Sequence, residues 1–427
     1  MGRGATSRAI RDPRPVRFGA VVAVVALLLA GCWPSWGGGT QRSGHNPFED
    51  LITPATVSGL GEQWRWRDPA GVSELAATAH GVHVLAGNRL VTINEATGAP
   101  RWDVELFPAS GLDSAGELVA DDGALYAQIL GSRFTPTRTV RYDAATGGSP
   151  GSVAGFAALP FYDRLPGTSW AGVPGLVFSL LHVAFPSEPS RSWGAILDSA
   201  SSGFPVSRLA TGSRYLYVVV RGSLLAYPYD RPAGCVQPPG SPGEPFIECP
   251  AAWRRDGVAN LTPALARDGR DLAVAKAGLV EVLDPADGAL RWTGALPGAG
   301  TPTPTQPAAI SDGVVAVTAA AAGTHRLGVY PRSGCATSPC APAWTALLPA
   351  APAGPPVLAG GLVWVAAGSD VRAYPAAGCG TATCAPVWSA DLGAEAADQP
   401  AVSVGRVFVP TTGGVVAYGL TAAAGRP

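Results

Sequence analysis

Three stretches of the chain are built to one plan, and that plan restricts the fold more than any other feature. In the last copy, Gly361-Leu362-Val363-Trp364-Val365-Ala366 is followed by Ala373-Tyr374-Pro375, Gly378-Cys379, Cys384 and Trp388. One copy earlier the order is Val314 to Val317, Val329-Tyr330-Pro331, Gly334-Cys335, Cys340 and Trp344. A longer copy runs from Tyr215 to Val220, then Leu225-Ala226-Tyr227-Pro228, Gly234-Cys235, Cys249 and Trp253. In each the Trp stands four residues after the second Cys. A tandem unit of this size buries its apolar face only against its neighbours, so the fold must be an array.

Further registers follow the same order without cysteine. Gly81-Val82-His83-Val84-Leu85-Ala86 alternates β-branched and small residues, Asn88-Arg89 turns it, and Leu90-Val91-Thr92-Ile93 returns. A second turn, Asn94 to Pro100, leads into Arg101-Trp102-Asp103-Val104. Strand, tight turn, strand, turn and strand make a β-meander. Gly123-Ala124-Leu125-Tyr126-Ala127 with Thr139-Val140-Arg141-Tyr142 forms a second register. Gly175-Leu176-Val177-Phe178-Ser179-Leu180 with Trp193 to Leu197 forms a degenerate third. Leu272 to Ala275, Leu279 to Leu283 and Arg291-Trp292 form another.

The last register, Val407-Phe408-Val409 and Gly414 to Tyr418, lacks its final strand. An open edge there is a liability. Leu60-Gly61-Glu62-Gln63-Trp64-Arg65-Trp66 is a strand without partners of its own, and it fits the gap. The expected fold is therefore all-β: an eight-bladed β-propeller of four-stranded blades over 59–420, its last blade closed by the N-terminal strand. A parallel solenoid is the alternative; it needs no closure between termini.

The pattern Gly-x-Val-x-Val, Leu-x-x-Ile/Leu, Asn/Asp, Gly-x-x-x-Trp resembles the pyrroloquinoline-quinone-type β-propeller repeat, best kept at 81–102 and 271–292. Asn46-Pro47 with Leu51 to Pro54 is similar to that family's lead-in. The Gly-Cys and Cys-x-x-x-Trp variant resembles a form found in actinobacterial secreted members. The resemblance implies that the Trp of each unit packs against the neighbouring blade. Trp64, Trp102, Trp253, Trp292, Trp344 and Trp388 take that role.

The chain has 427 residues, 47% of them hydrophobic and 14% charged, which is ample for a large core. A net charge of −1 argues against a nucleic-acid partner. Arg3, Arg8, Arg11, Arg14 and Arg17 precede an apolar run from Gly19 to Ala30, the pattern of a signal peptide. Leu29-Ala30-Gly31-Cys32 resembles the lipobox of bacterial lipoproteins. That resemblance implies removal of 1–31, a lipid on Cys32 and a place on the outer face of the cell membrane. An ordinary secretory leader with a chance cysteine is the alternative. Residues 32–58 read as a flexible tether, and 421–427 as a tail.

An oxidising compartment favours disulfides, and the pairs expected are Cys235–Cys249, Cys335–Cys340 and Cys379–Cys384. Zinc is the competing reading, but the short copies have four residues between cysteines and no His cluster beside them. His45, His80, His83, His182 and His325 show no metal-ligand spacing, and His83 reads as a packed strand residue. Asp113, Asp121, Asp122 and Asp398 read as scattered loop acids. No vicinal Cys-Cys pair of the quinone dehydrogenases is present, nor a Gly-x-Ser-x-Gly. No catalytic, cofactor-binding or metal residue is assigned.

Two function classes compete. The first is a non-enzymatic scaffold at the cell envelope, binding other envelope proteins through insertions at 156–170, 185–192 and 238–246. The second is a quinone- or metal-dependent oxidoreductase. A weaker third reading is a cell-wall carbohydrate-binding module using Trp33, Trp36 or Trp170.

Overall fold

The computed structural model describes residues 33–421 apart from 40, 110–112, 122, 131–137, 150, 155–164, 174–175, 185–192, 199–206, 231–232, 236–245 and 248. The repeats form antiparallel meanders, and their burial follows from how the meanders stack. A sheet covered on both faces needs apolar residues at every position rather than at alternate ones. The second strands Gly81–Ala86, Tyr215–Val220 and Leu362–Ala367 are accordingly buried throughout. The outer strands Trp253–Asp256 and Trp388–Asp391 alternate between half-buried and exposed.

Described strands form eight sheets. Seven of them make the ring. Blade 1 holds Glu74–Thr78, Gly81–Ala86, Arg89–Ile93 and Pro100–Glu105. Blade 2 holds Ser114–Asp121, Ala124–Leu130, Arg138–Asp143 and Gly151–Ala154. Blade 3 begins at Ala210–Thr211 and ends with Trp253–Asp256. Blade 4 runs from Ala264–Leu265 to Leu290–Ala295, blade 5 from Thr303–Pro304 and Ala309–Ile310 to Trp344–Leu348, and blade 6 from Val357–Ala359 to Trp388–Asp391. Blade 7 combines Ala401–Ser403, Arg406–Thr411 and Gly414–Leu420 with the N-terminal Leu60–Arg67.

The expectation of eight blades is corrected to seven. Successive hydrophobic clusters join blades 1 and 2, 2 and 3, 3 and 4, 4 and 5, and 5 and 6, and one large cluster joins 6, 7 and 1. Val119 of blade 2 belongs to one buried cluster with Leu209, at the approach to blade 3, and Leu216 and Val218 within it. No sector is left between them for the degenerate third register. Its strands, Leu165–Val173, Leu176–Ala184 and Trp193–Asp198, pair with one another and with Phe246–Ile247 from the long cysteine hairpin. They form a separate sheet inserted between blades 2 and 3. Like blade 2, this register lacks the Gly-x-x-x-Trp of the repeat; what sets it apart is that its outermost strand is borrowed from the long hairpin of blade 3.

Closure between the termini follows the expected pairing. Leu60 faces Leu420 and Arg67 faces Gly414, antiparallel, with a bulge between Glu62 and Trp64. The edge of blade 7 is thus paired by the chain's own beginning.

Each repeat Trp reaches the next blade. Its indole N–H donates to a backbone carbonyl there: Trp64 to Glu95, Trp102 to Ala144, Trp253 to Pro285, Trp292 to Arg332, Trp344 to Ala376, and Trp388 to Leu60. That satisfies the one polar group of an otherwise apolar ring system. The motif glycine has a second duty besides its turn. Gly98, at φ 72°, lies under Trp64, and a Cβ there would sit 2.8 Å from the indole. Gly378 stands in the same relation to Trp344. The three disulfides close hairpins between the third and fourth strands of blades 3, 5 and 6.

His83 is fully buried in blade 1, its ring nitrogens 2.8 Å from the Thr78 hydroxyl and 2.7 Å from that of Thr92. Burial, with smaller contributions from His80 and Arg101, pushes its pKa down to about 3. The fold therefore holds the neutral imidazole, while the unfolded chain takes up a proton below about 6.5. Stability is full above that value and falls as the pH drops from about 6.5 toward 3. At pH 5 the loss from this group is about 2 kcal/mol. A urea titration of His83→Gln should show lower stability at pH 7.5 but a flatter decline between pH 6.5 and 5. An unchanged slope would contradict the assignment.

Candidate functional site

The inner strands of the blades surround an axis, and the chain fills that axis with its own N-terminal segment. Two faces must be distinguished. The hairpin face carries the turns between first and second strands and between third and fourth strands, including the three cysteine hairpins. The connector face carries the second-to-third turns and the links from blade to blade.

The segment enters from the hairpin face. Trp33 pairs antiparallel with Ala77 of blade 1, exchanging two N–H···O bonds of 2.8 Å. Ser35 bridges Val119, and the Pro34 carbonyl accepts from Ala120, both in blade 2. Arg42 Nε donates to the Leu209 carbonyl at the start of blade 3, 3.1 Å away. The carbonyls of Gln41, Ser43 and Gly44 accept from Leu265, Ile310 and Leu358 of blades 4, 5 and 6. His45–Asn46 runs parallel to Val357–Ala359, back toward the hairpin face, and the Asn46 amide donates to Val402 of blade 7 at 2.8 Å. Residues 33–46 thus bond in turn to the inner strand, or its immediate approach, in all seven blades. Trp33 is 1% exposed, and Ser35, Arg42, Ser43 and Asn46 are buried as well.

This corrects the reading of 32–58 as a flexible tether. Described residues from Trp33 onward belong to the ring, down to Ile52 and Val57, which pack into the cluster of blades 6, 7 and 1. The segment's polar composition gives the appearance of a linker. Its polar groups instead supply the partners that inner-strand amides otherwise lack.

Charge gathers where the segment crosses between blades 2 and 3. Arg42 also bonds Ser35 Oγ and pairs with Glu117, while Arg208 pairs with Glu74 and lies 3.9 Å from Glu117. Burial, then Arg208, pulls the Arg42 guanidinium down to about 9, with Glu74 acting in the opposite sense. It remains charged at neutral pH. Arg42→Met should cost about 3 kcal/mol in a urea titration, because Glu117 loses its closest cation in a buried place. The double variant with Glu117→Gln should recover part of that loss. Equal stability of Arg42→Met and the parent chain would contradict the pairing.

Asp398 and Gln399, at the start of blade 7, are buried. Asp398 is therefore no scattered, solvated acid: its carboxylate accepts the Gln399 N–H at 2.7 Å. Among the described residues the Gln399 side-chain amide and Glu74 Oε2 find no hydrogen-bond partner. Asp113 pairs with Arg138 at 3.6 Å.

On the hairpin face a groove of about 750 Å³ lies between blades 4 and 5. Arg332 there pairs with Asp268, Asp271 and Asp312, and Arg291 with Asp271 and Asp284. Most of its charges are mutually paired.

The axis does not suit a quinone and calcium. Residues 33–46 occupy it, and its acids Glu74 and Glu117 are tied to Arg208 and Arg42. The six paired cysteines are held in disulfides within the hairpins. Among the described residues no three His, Cys, Asp or Glu side chains converge. Trp33 is enclosed and offers no face to a glycan. Cys32 lies outside the described residues, as do 156–164, 185–192 and 238–245, and the side chains of Trp36 and Trp170 are not described.

No protein-family model matches the chain, and no curated protein sequence is similar to it. Among solved structures it is similar to Hsv2 of Kluyveromyces lactis, at 11% identity and a TM-score of 0.43, covering 73% of this chain and 96% of that one. A K. lactis Hsv2 with loop 6CD replaced by a Gly-Ser linker gives 10% and 0.42, covering 69% and 88%. Hsv2 of Kluyveromyces marxianus gives 10% and 0.31, covering 63% and 95%. Such likeness is one of fold.

Proposed function

We propose that the protein is a lipid-anchored scaffold on the outer face of the cell membrane, presenting the loops of a sealed propeller to other envelope proteins. One observation carries the reading. The described residues from Trp33 onward fill the ring's own axis, which turns the blades' inner strands away from any ligand. Three disulfides fit an oxidising compartment. An axis filled by the chain itself leaves the rim loops as the surfaces for partners, and propeller rims serve binding more often through loops than through blades.

The test is the chemistry of the mature N-terminus. Mass spectrometry of the protein from intact cells should find Cys32 as first residue with acyl chains attached, and Cys32→Ser should leave the membrane fraction. Crosslinking on the cells should then capture envelope proteins in defined ratio. An unmodified Cys32 in a freely secreted protein would overturn the anchoring. A tightly bound quinone chromophore in the purified protein would overturn the scaffold reading.

A further inference from the structure

We propose that the hairpin face of the ring rests directly on the lipid surface that holds the acyl chains of Cys32. The inference deepens the preceding reading and rests on it. A lipoprotein normally needs a spacer to lift its folded part off the membrane, and none is available here. Trp33 is bonded through both its N–H and its carbonyl to Ala77, inside the ring. One peptide step of about 3.8 Å separates consecutive Cα atoms. The headgroup layer of one leaflet is roughly 5–8 Å deep. A lipid-bearing residue one step from Trp33 therefore brings the hairpin face into that layer.

Direction is fixed by the pairing. The inner strand Glu74–Thr78 runs toward the turn at Ala79-His80 on the hairpin face, and Trp33 pairs with it antiparallel. The described segment therefore runs inward from that face, starting at Trp33.

Exposed apolar residues give an independent observation. Among the described residues six large hydrophobic side chains are exposed. Phe48 and Leu51 lie just past the point where the segment leaves the axis. Val404 is in the first turn of blade 7, where Leu51 packs beside Gly405. Val387 and Leu290 close the third-to-fourth-strand turns of blades 6 and 4. All five are on the hairpin face; only Leu347 is elsewhere. Val404 is 61% exposed at φ 48°, a position where a β-branched residue is unfavourable without a reason. The hairpin of blade 6, residues 376–387, carries no charge at all. Elsewhere on that face Arg267 covers the Phe48 ring at 4.4 Å, a cation beside an exposed aromatic. Ion pairs occur on both faces: Arg89 with Asp68 and Asp103 and Lys276 with Glu281 on the connector face, Arg332 and Arg291 with their aspartates between blades 4 and 5 on the hairpin face. Apolar side chains flanked by Arg, next to an acyl anchor, suit an interface between water and lipid.

The experiment uses the acylated full chain in vesicles of phosphatidylethanolamine and phosphatidylglycerol. Hydroxyl-radical footprinting is compared with that of the Cys32→Ala protein, secreted without lipid. Flotation with the vesicles and the mass of the N-terminal peptide report the anchoring. Footprinting reports the orientation. Phe48, Leu51, Val387 and Val404 should be labelled at least threefold less in the vesicle-bound protein, with Leu347 unchanged. A 20-residue Gly-Ser insertion between Cys32 and Trp33 should restore labelling while flotation persists. Flotation with equal labelling of all five residues would overturn the orientation and leave the anchoring intact. Absence of acyl chains on Cys32 would overturn both.

Discussion

A chain that starts at Pro47 should be less stable than one that starts at Cys32 by roughly 5–10 kcal/mol, comparable to the whole folding free energy of an ordinary domain. Loss of buried Trp33 accounts for about 3–5 kcal/mol of this. Each of the inner-strand amides of Ala77, Ala120, Leu265, Ile310 and Leu358 loses a partner from the segment. About 1 kcal/mol apiece is the usual worth of such a bond, and water entering the emptied axis offsets some of it. The loss of Arg42 adds to the total by leaving Glu117 with only the more distant Arg208. Urea unfolding followed by circular dichroism and size exclusion would show the truncated chain unfolded or expanded at low denaturant. A truncated chain within about 1 kcal/mol of the parent would mean that the segment is incidental to the ring.

Trp344→Ala should cost about 3–5 kcal/mol, the largest effect expected of a single substitution in the repeat. Trp344 is 2% exposed, its ring centroid is 6.0 Å from that of Tyr374 in blade 6, and its N–H reaches the Ala376 carbonyl. Three contributions are lost together: apolar area, an aromatic contact and the partner of the half-buried Ala376 carbonyl. Trp344→Phe keeps the first two and should cost about half as much. Gly378→Ala tests the other side of the joint. Its φ is 89°, and the added Cβ would stand 2.8 Å from Trp344 Cδ1. It should destabilise by about 1–3 kcal/mol. Thermal melts at several urea concentrations would rank the three. Near-neutral Trp344→Ala would show that the joints between blades 5 and 6 are held by strand pairing alone.

Much of the ring is legible in the residues because its repeat is written with large, unusual side chains. Trp, Gly and paired Cys at fixed offsets mark the outer strand of a blade, and the orphan strand at 60–67 finds its place by elimination. The blade count is less legible. The run 175–199 alternates as strands do, and nothing in its hydrophobicity separates a blade from an inserted sheet. The missing Trp does not discriminate, since blade 2 lacks it as well; the long irregular approach to blade 3 is the signal that does. The threaded segment is the least legible part. Residues 33–46 are short of apolar periodicity because they pair with seven different strands, one or two residues at a time. Such a path leaves no repeat in the sequence. Its marks are few: two large aromatics, Trp33 and Trp36, one arginine, Arg42, and the amides Gln41 and Asn46.

Native-state hydrogen exchange tests the threaded ring most directly. The amides of Ala77, Ala120, Leu265, Ile310 and Leu358 lie in five different blades, and each bonds to the N-terminal segment rather than to a neighbouring strand. In the chain beginning at Cys32 all five should exchange as slowly as Val82 and Val363 in the buried second strands. Fast exchange at these five positions, with Val82 and Val363 still protected, would show an open axis and contradict the structure described.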